Sequence, residues 1–70
     1  MTVIEKVKAM RNLGYPETFI SEKSGINYTT LYRAQRGGRG LSSHEGQRIH
    51  KLHKAVLRLE QMIKRIKEES

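Results

Sequence analysis

Apolar residues recur along this chain at helical spacing, and no segment alternates with the period of two expected of a strand. Val3, Ile4, Val7, Met10 and Leu13 share one face, with Glu5, Lys6, Lys8 and Arg11 outside it. Thr2 is placed to cap that helix and Gly14 to close it. Three interruptions divide the sequence: Gly14-Tyr15-Pro16, Gly25 and Arg36-Gly37-Gly38-Arg39-Gly40. Pro16 suits a first helical turn, where its missing N–H costs nothing, so a short second helix is expected over about Pro16–Lys23, closed by Gly25. Asn27 is a good N-cap for a third helix reaching about Gln35. The glycine-rich stretch that follows is expected to be an exposed, mobile loop. Ser42 or Ser43 then caps a fourth helix that nothing breaks before the final Glu-Glu-Ser. Gly46 only weakens its first turn, by about 1 kcal/mol relative to alanine. The pattern predicts an all-α chain of four helices, the last one long.

Composition narrows the picture. Seventy residues make one domain at most, and a chain this short needs reinforcement beyond its own core. It has no cysteine, so disulfides and thiolate metal sites are excluded. Close helix packing or self-association remains. The formal charge is +7, and it is spread evenly: seven Lys/Arg against three Glu in residues 1–40, seven against four in residues 41–70. A uniformly basic small domain points to a polyanion, because each phosphate it neutralises releases condensed counterions. The N-terminal segment lacks the apolar run of a signal peptide, and no stretch approaches the ~18 apolar residues of a membrane span. A cytoplasmic protein without membrane contact is expected.

Glu17–Ala34 reads ETFISEKSGINYTTLYRA. Ile20, Ser21, Gly25, Ile26, Leu31 and Ala34 stand where a helix-turn-helix needs an apolar residue, a small residue, a turn glycine and the apolar contacts of the second helix. The segment resembles the helix-turn-helix of the Cro and phage-repressor (XRE-like) group of transcription regulators. Leu41-Ser42-Ser43, followed by Ile49 and Leu52, is similar to the start of that group's next helix, and the resemblance covers roughly residues 3–56. It implies a four-helix helix-turn-helix domain over residues 1–56, with residues 57–70 extending the last helix. It further implies that the third helix enters the major groove of duplex DNA with its N-terminal residues on the base edges.

On that resemblance the base-reading places fall on Tyr28, Thr29 and Arg33, with Asn27, Thr30 and Tyr32 supporting. Arg33 is the strongest, since a guanidinium pairs bidentately with guanine O6 and N7 for ~1–3 kcal/mol of discrimination. Arg36 and Arg39 are expected to clamp phosphate or enter a narrow minor groove. Glu17 departs from the group's pattern, which often has a phosphate-touching glutamine there. An acidic group would repel phosphate, so that contact is not carried over.

Ile49, Leu52, Val56, Leu59, Ile63 and Ile66 follow each other at spacings of 3, 4, 3, 4 and 3, a heptad seam. The first part covers the domain's core. Val56, Leu59, Met62, Ile63 and Ile66 are expected to pair with a second copy, giving a homodimer for an inverted-repeat operator, in either parallel or antiparallel form. His50 and His53 share a helix face without a third ligand in register, so they are expected to face solvent or phosphate and hold no metal. No nucleophile–base pair, paired catalytic carboxylates or phosphate-binding loop is present, so an enzyme, a cofactor or a small-molecule ligand is not expected. Two other readings compete with a transcription regulator. One is an RNA-binding, antitermination-type factor using the Arg-Gly-Gly stretch; the other is a protein-binding adaptor on the same scaffold.

Overall fold

A computed structural model of the chain describes residues 1–38 and 40–69. It contains four helices, α1 (Val3–Asn12), α2 (Glu17–Ser24), α3 (Tyr28–Gln35) and α4 (Ser43–Glu69), and no strand among the described residues. α1 begins with a reciprocal cap: the Glu5 N–H donates to the Thr2 hydroxyl at 3.1 Å and the Thr2 N–H to the Glu5 carboxylate at 3.0 Å. Those two bonds hold the Glu5 carboxyl below its ordinary range. α1 ends where the Gly14 N–H reaches the Arg11 carbonyl and the Tyr15 N–H reaches that of Met10, a Schellman closure with Gly14 left-handed. Leu13, counted on the apolar face by its spacing, lies at that closure and is exposed.

Pro16 precedes α2 as its N-cap, and the helix starts at Glu17. The turn to α3 is Gly25-Ile26-Asn27, with Gly25 at φ +73°, a conformation that costs any residue with a Cβ ~1–2 kcal/mol. Two serines lock this turn. The Ser21 hydroxyl donates to the Ile26 carbonyl across it, while the buried Ser24 hydroxyl donates to the Ile20 carbonyl and accepts the Ile26 N–H at 3.3 Å. Asn27 then caps α3 by accepting the Thr29 N–H at 2.8 Å. Arg36 to Gly38 close α3 instead of hanging as a free loop: the Gly37 and Gly38 N–H groups bond to the Ala34 and Arg33 carbonyls. A second reciprocal cap opens α4, between Ser42 and Glu45.

The core gathers Val7 and Met10 of α1, Ile20 of α2, Ile26 of the turn, Leu31 of α3, and Ile49 and Val56 of α4, each at most 3 % exposed. Ala34 is buried beside them. α4 packs on α1 and α2, while α3 packs on α2 and α1. Gly46 belongs to this packing, since a Cβ there would meet a Val3 methyl at 3.3 Å. Two residues of α4 depart from expectation. Val56 turns into the chain's own core and is not available to a partner. His53, expected at the surface, is buried, because it follows Ile49 by one helical turn and so faces inward with it.

α4 is 27 residues long, about 40 Å at 1.5 Å per residue, and accounts for the longest of the molecule's dimensions, 44 × 21 × 18 Å. Well along it, Glu60 accepts a 2.8 Å hydrogen bond from the Tyr15 hydroxyl. Residues 61–69 are exposed throughout. No helix of the described residues is long and apolar enough to cross a membrane.

Candidate nucleic-acid interface

The alternation of buried and exposed positions on α3 follows from its place over the core. Leu31 and Ala34 point inward, Thr30 and Gln35 lie at the margins, and Tyr28, Thr29, Tyr32 and Arg33 face out, with Arg36 just beyond the helix. Five residues of one face are therefore presented together. Spacing sorts them into two rows: Tyr28, Tyr32 and Arg36 succeed one another by four residues, as do Thr29 and Arg33. The first row borders a cleft toward α1; the second does not. In the first row the Arg36 guanidinium lies 4.6 Å from the centroid of the Tyr32 ring, a cation–π arrangement that gives the otherwise exposed arginine a preferred position.

The five face residues expected from the sequence thus share one surface, with Asn27 capping its helix and Thr30 half-buried at its margin. Arg39 lies outside the described residues. On α4, Leu59, Met62, Ile63 and Ile66 are exposed and contiguous at helical spacing, the last with 64 % of its surface free. Val56 is not part of that strip.

The cleft beside α3 has a volume of about 440 Å³ and is lined by Lys8 and Arg11 of α1, Glu17 of α2, and Tyr28, Tyr32, Gln35 and Arg36. At its base a charged network joins three helices. Arg11 Nη1 lies 2.8 Å from Glu17 Oε1 and 3.3 Å from Gln35 Oε1, and Gln35 Nε2 donates in turn to Glu17 Oε1 at 3.1 Å and to the Leu31 carbonyl at 3.2 Å. Glu17 does not stand bare at its helix start; its side chain is only 10 % exposed and its charge is met by Arg11. The same carboxylate, facing the Tyr28 phenol, pushes that group above its ordinary value. Tyr28 stays a neutral donor at physiological pH.

No protein-family model, curated protein or solved structure matches this chain.

Arg11, Gln35 and Lys8 were not read as site residues from the sequence, because periodicity reports which face a residue occupies, not which distant residue it meets. Glu17 alone carried a signal, as an acid where the helix-turn-helix pattern favours an amide. Near the other end of α1, Lys6 Nζ donates to His50 Nδ1 at 2.7 Å. His53 sits close to both, and burial, then the charge of Lys6, then His50 lower its pKa. Among the described residues no three His, Asp or Glu side chains converge as metal ligands would.

Proposed function

We propose that this chain is a sequence-specific duplex-DNA-binding transcription regulator that works as a homodimer on an inverted repeat. The observation that carries the reading is the outward face of α3. The second helix of a helix-turn-helix presents Tyr28, Thr29, Tyr32 and Arg33 free of any core duty, on a chain of formal charge +7. Placed in a major groove, Arg33 reads guanine through O6 and N7. Thr29 offers its hydroxyl to a base or phosphate and its methyl to thymine, and Tyr28 donates to the backbone. The Arg36 guanidinium, held over Tyr32, is offered to a backbone phosphate.

One eight-residue helix reads too few base pairs for useful discrimination, and the exposed strip of α4 supplies the second copy. Leu59, Met62, Ile63 and Ile66 lie within eight residues of helix, roughly 10 Å. That is small beside a standard interface, so the dimer is weak in solution and completes itself on the operator. The phage-repressor resemblance of Ile20, Ser21, Gly25, Ile26, Leu31 and Ala34 points the same way and makes repression the favoured direction of control.

Selection of sites from random duplex DNA tests the reading. The expected product is a two-fold repeat bound far more tightly than bulk DNA, with affinity falling steeply as salt rises. Enrichment of no sequence, or a preference for structured RNA in competition, would contradict it.

A further inference from the structure

The cleft between α1 and α3 has a composition that the DNA-reading face does not require. Lys8, Arg11 and Arg36 bring three cations to it against one carboxylate, Glu17, which is met by Arg11 and by the Tyr28 phenol. That carboxylate does not neutralise the cleft; it orients it. Glu17 and Gln35 both hold the same nitrogen of Arg11, Nη1, while half of the arginine side chain stays exposed. The Arg11 guanidinium is thereby fixed at one corner, with its other N–H groups available to a second acceptor. Gln35 is itself pinned, because its amide nitrogen is shared between Glu17 and the Leu31 carbonyl. A guanidinium held this way loses little freedom on meeting a tetrahedral oxyanion, whose oxygens match its fork.

We propose that this cleft is a phosphate site, with Arg11 as the anchoring residue, Lys8, Arg36 and Tyr28 around the anion, and Glu17 and Gln35 as positioning residues. The anion's owner rests on the DNA-binding reading: a backbone phosphodiester flanking the groove that Thr29 and Arg33 enter. A free phosphate group is the other source of the same chemistry. The site also gives the acidic residue at position 17 a use. Where a glutamine would touch phosphate directly, Glu17 directs an arginine to it.

The test is a salt titration of duplex binding by Arg11→Gln, Arg11→Lys and the double variant Arg11→Gln/Glu17→Gln, with Lys64→Gln on the exposed tail as control and thermal unfolding of each recorded. Losing one phosphate contact reduces the slope of log affinity against log salt by about 0.9, which near 0.1 M salt is roughly a fivefold to tenfold loss. The site predicts that loss in Arg11→Gln equally on selected and unrelated duplexes, an unchanged slope in Arg11→Lys, and none of the loss in Lys64→Gln. Arg11→Gln leaves Glu17 without its ion pair and lowers the unfolding midpoint. The double variant recovers the midpoint but not the slope, which separates the phosphate role from a structural one. A normal slope in both Arg11→Gln and the double variant would overturn the proposal.

Inorganic phosphate, followed by NMR of the Arg11 side chain, distinguishes the sources. Shifts of Arg11 only with duplex assign the site to a strand, and saturable shifts with phosphate alone assign it to a free anion. Should the native chain bind no DNA at low salt, the DNA reading fails by itself. The cleft then stands on saturation by inorganic phosphate and falls without it.

Discussion

His53 sits one helical turn after Ile49, where burial and the charge of Lys6 disfavour its protonated form. Its pKa lies below the ordinary 6.5, so the native state binds fewer protons than the unfolded chain once the pH falls past that value. The stability that depends on a neutral ring is complete above pH 6.5 and is lost as the pH drops toward the lowered value. The unfolding midpoint should therefore hold steady at neutral pH and fall as the pH drops below 6.5, with His53→Gln removing most of that fall. An identical pH profile in the variant would show that the charge of this ring is not what the fold resists. Sequence spacing placed His53 beside the apolar seam but not within the core, because a histidine is compatible with either side of a helix margin. Ser21 was similarly read as merely small, whereas its hydroxyl reaches the Ile26 carbonyl across the turn, as that of Ser24 reaches the Ile20 carbonyl of α2. Size was visible in the residue types; the acceptors, supplied by the fold, were not.

At the scale of elements, the punctuation of the chain carried most of the information. Gly14, Gly25, Asn27 and Ser42 all cap or close a helix where their chemistry says they should, and each depends on neighbours within a few residues. Gly25 tests how strongly the turn relies on that chemistry. Its added Cβ would have room, the nearest atom being Arg48 Nη1 at 3.6 Å, so Gly25→Ala isolates the left-handed backbone. It should cost about 1–2 kcal/mol, a drop of very roughly 4–15 °C in unfolding midpoint for a domain of this size. A midpoint unchanged from the native chain would mean the turn readily adopts another conformation. Elements were less legible where they depend on contacts distant in sequence. The Arg11–Glu17–Gln35 network draws on three helices, and the Gly46 approach to Val3 sets α4 against α1 across more than half the chain. Neither leaves a periodic trace. The Arg-Gly-Gly stretch shows the same limit, since Arg36 to Gly38 are drawn into the end of α3 by carbonyls that the helix itself supplies.

The molecule as a whole is a small core with a long lever. Seven buried side chains form the core cluster, and the last nine described residues of α4, 61–69, are all exposed. The Tyr15–Glu60 hydrogen bond, which also pushes the Tyr15 phenol above its ordinary value, ties this helix to the segment before α2. Beyond it Met62, Ile63 and Ile66 form an exposed apolar strip among Lys64, Arg65 and Lys67. Ile63→Glu should leave the unfolding midpoint nearly unchanged, because Ile63 is outside the core. It should abolish self-association in sedimentation and weaken binding to a two-fold site much more than to a half-site. Equal loss on both sites would place this strip outside the dimer.

The central claim is that the outer face of α3 reads bases. It is tested most directly by equilibrium titration of the native chain and Arg33→Ala against the selected site and each of its single-base variants. The account predicts that the native chain discriminates by ~1–3 kcal/mol at one guanine of each half-site. Arg33→Ala should lose that discrimination while retaining its preferences elsewhere and its dependence on salt. Undiminished discrimination at every position in Arg33→Ala would contradict it.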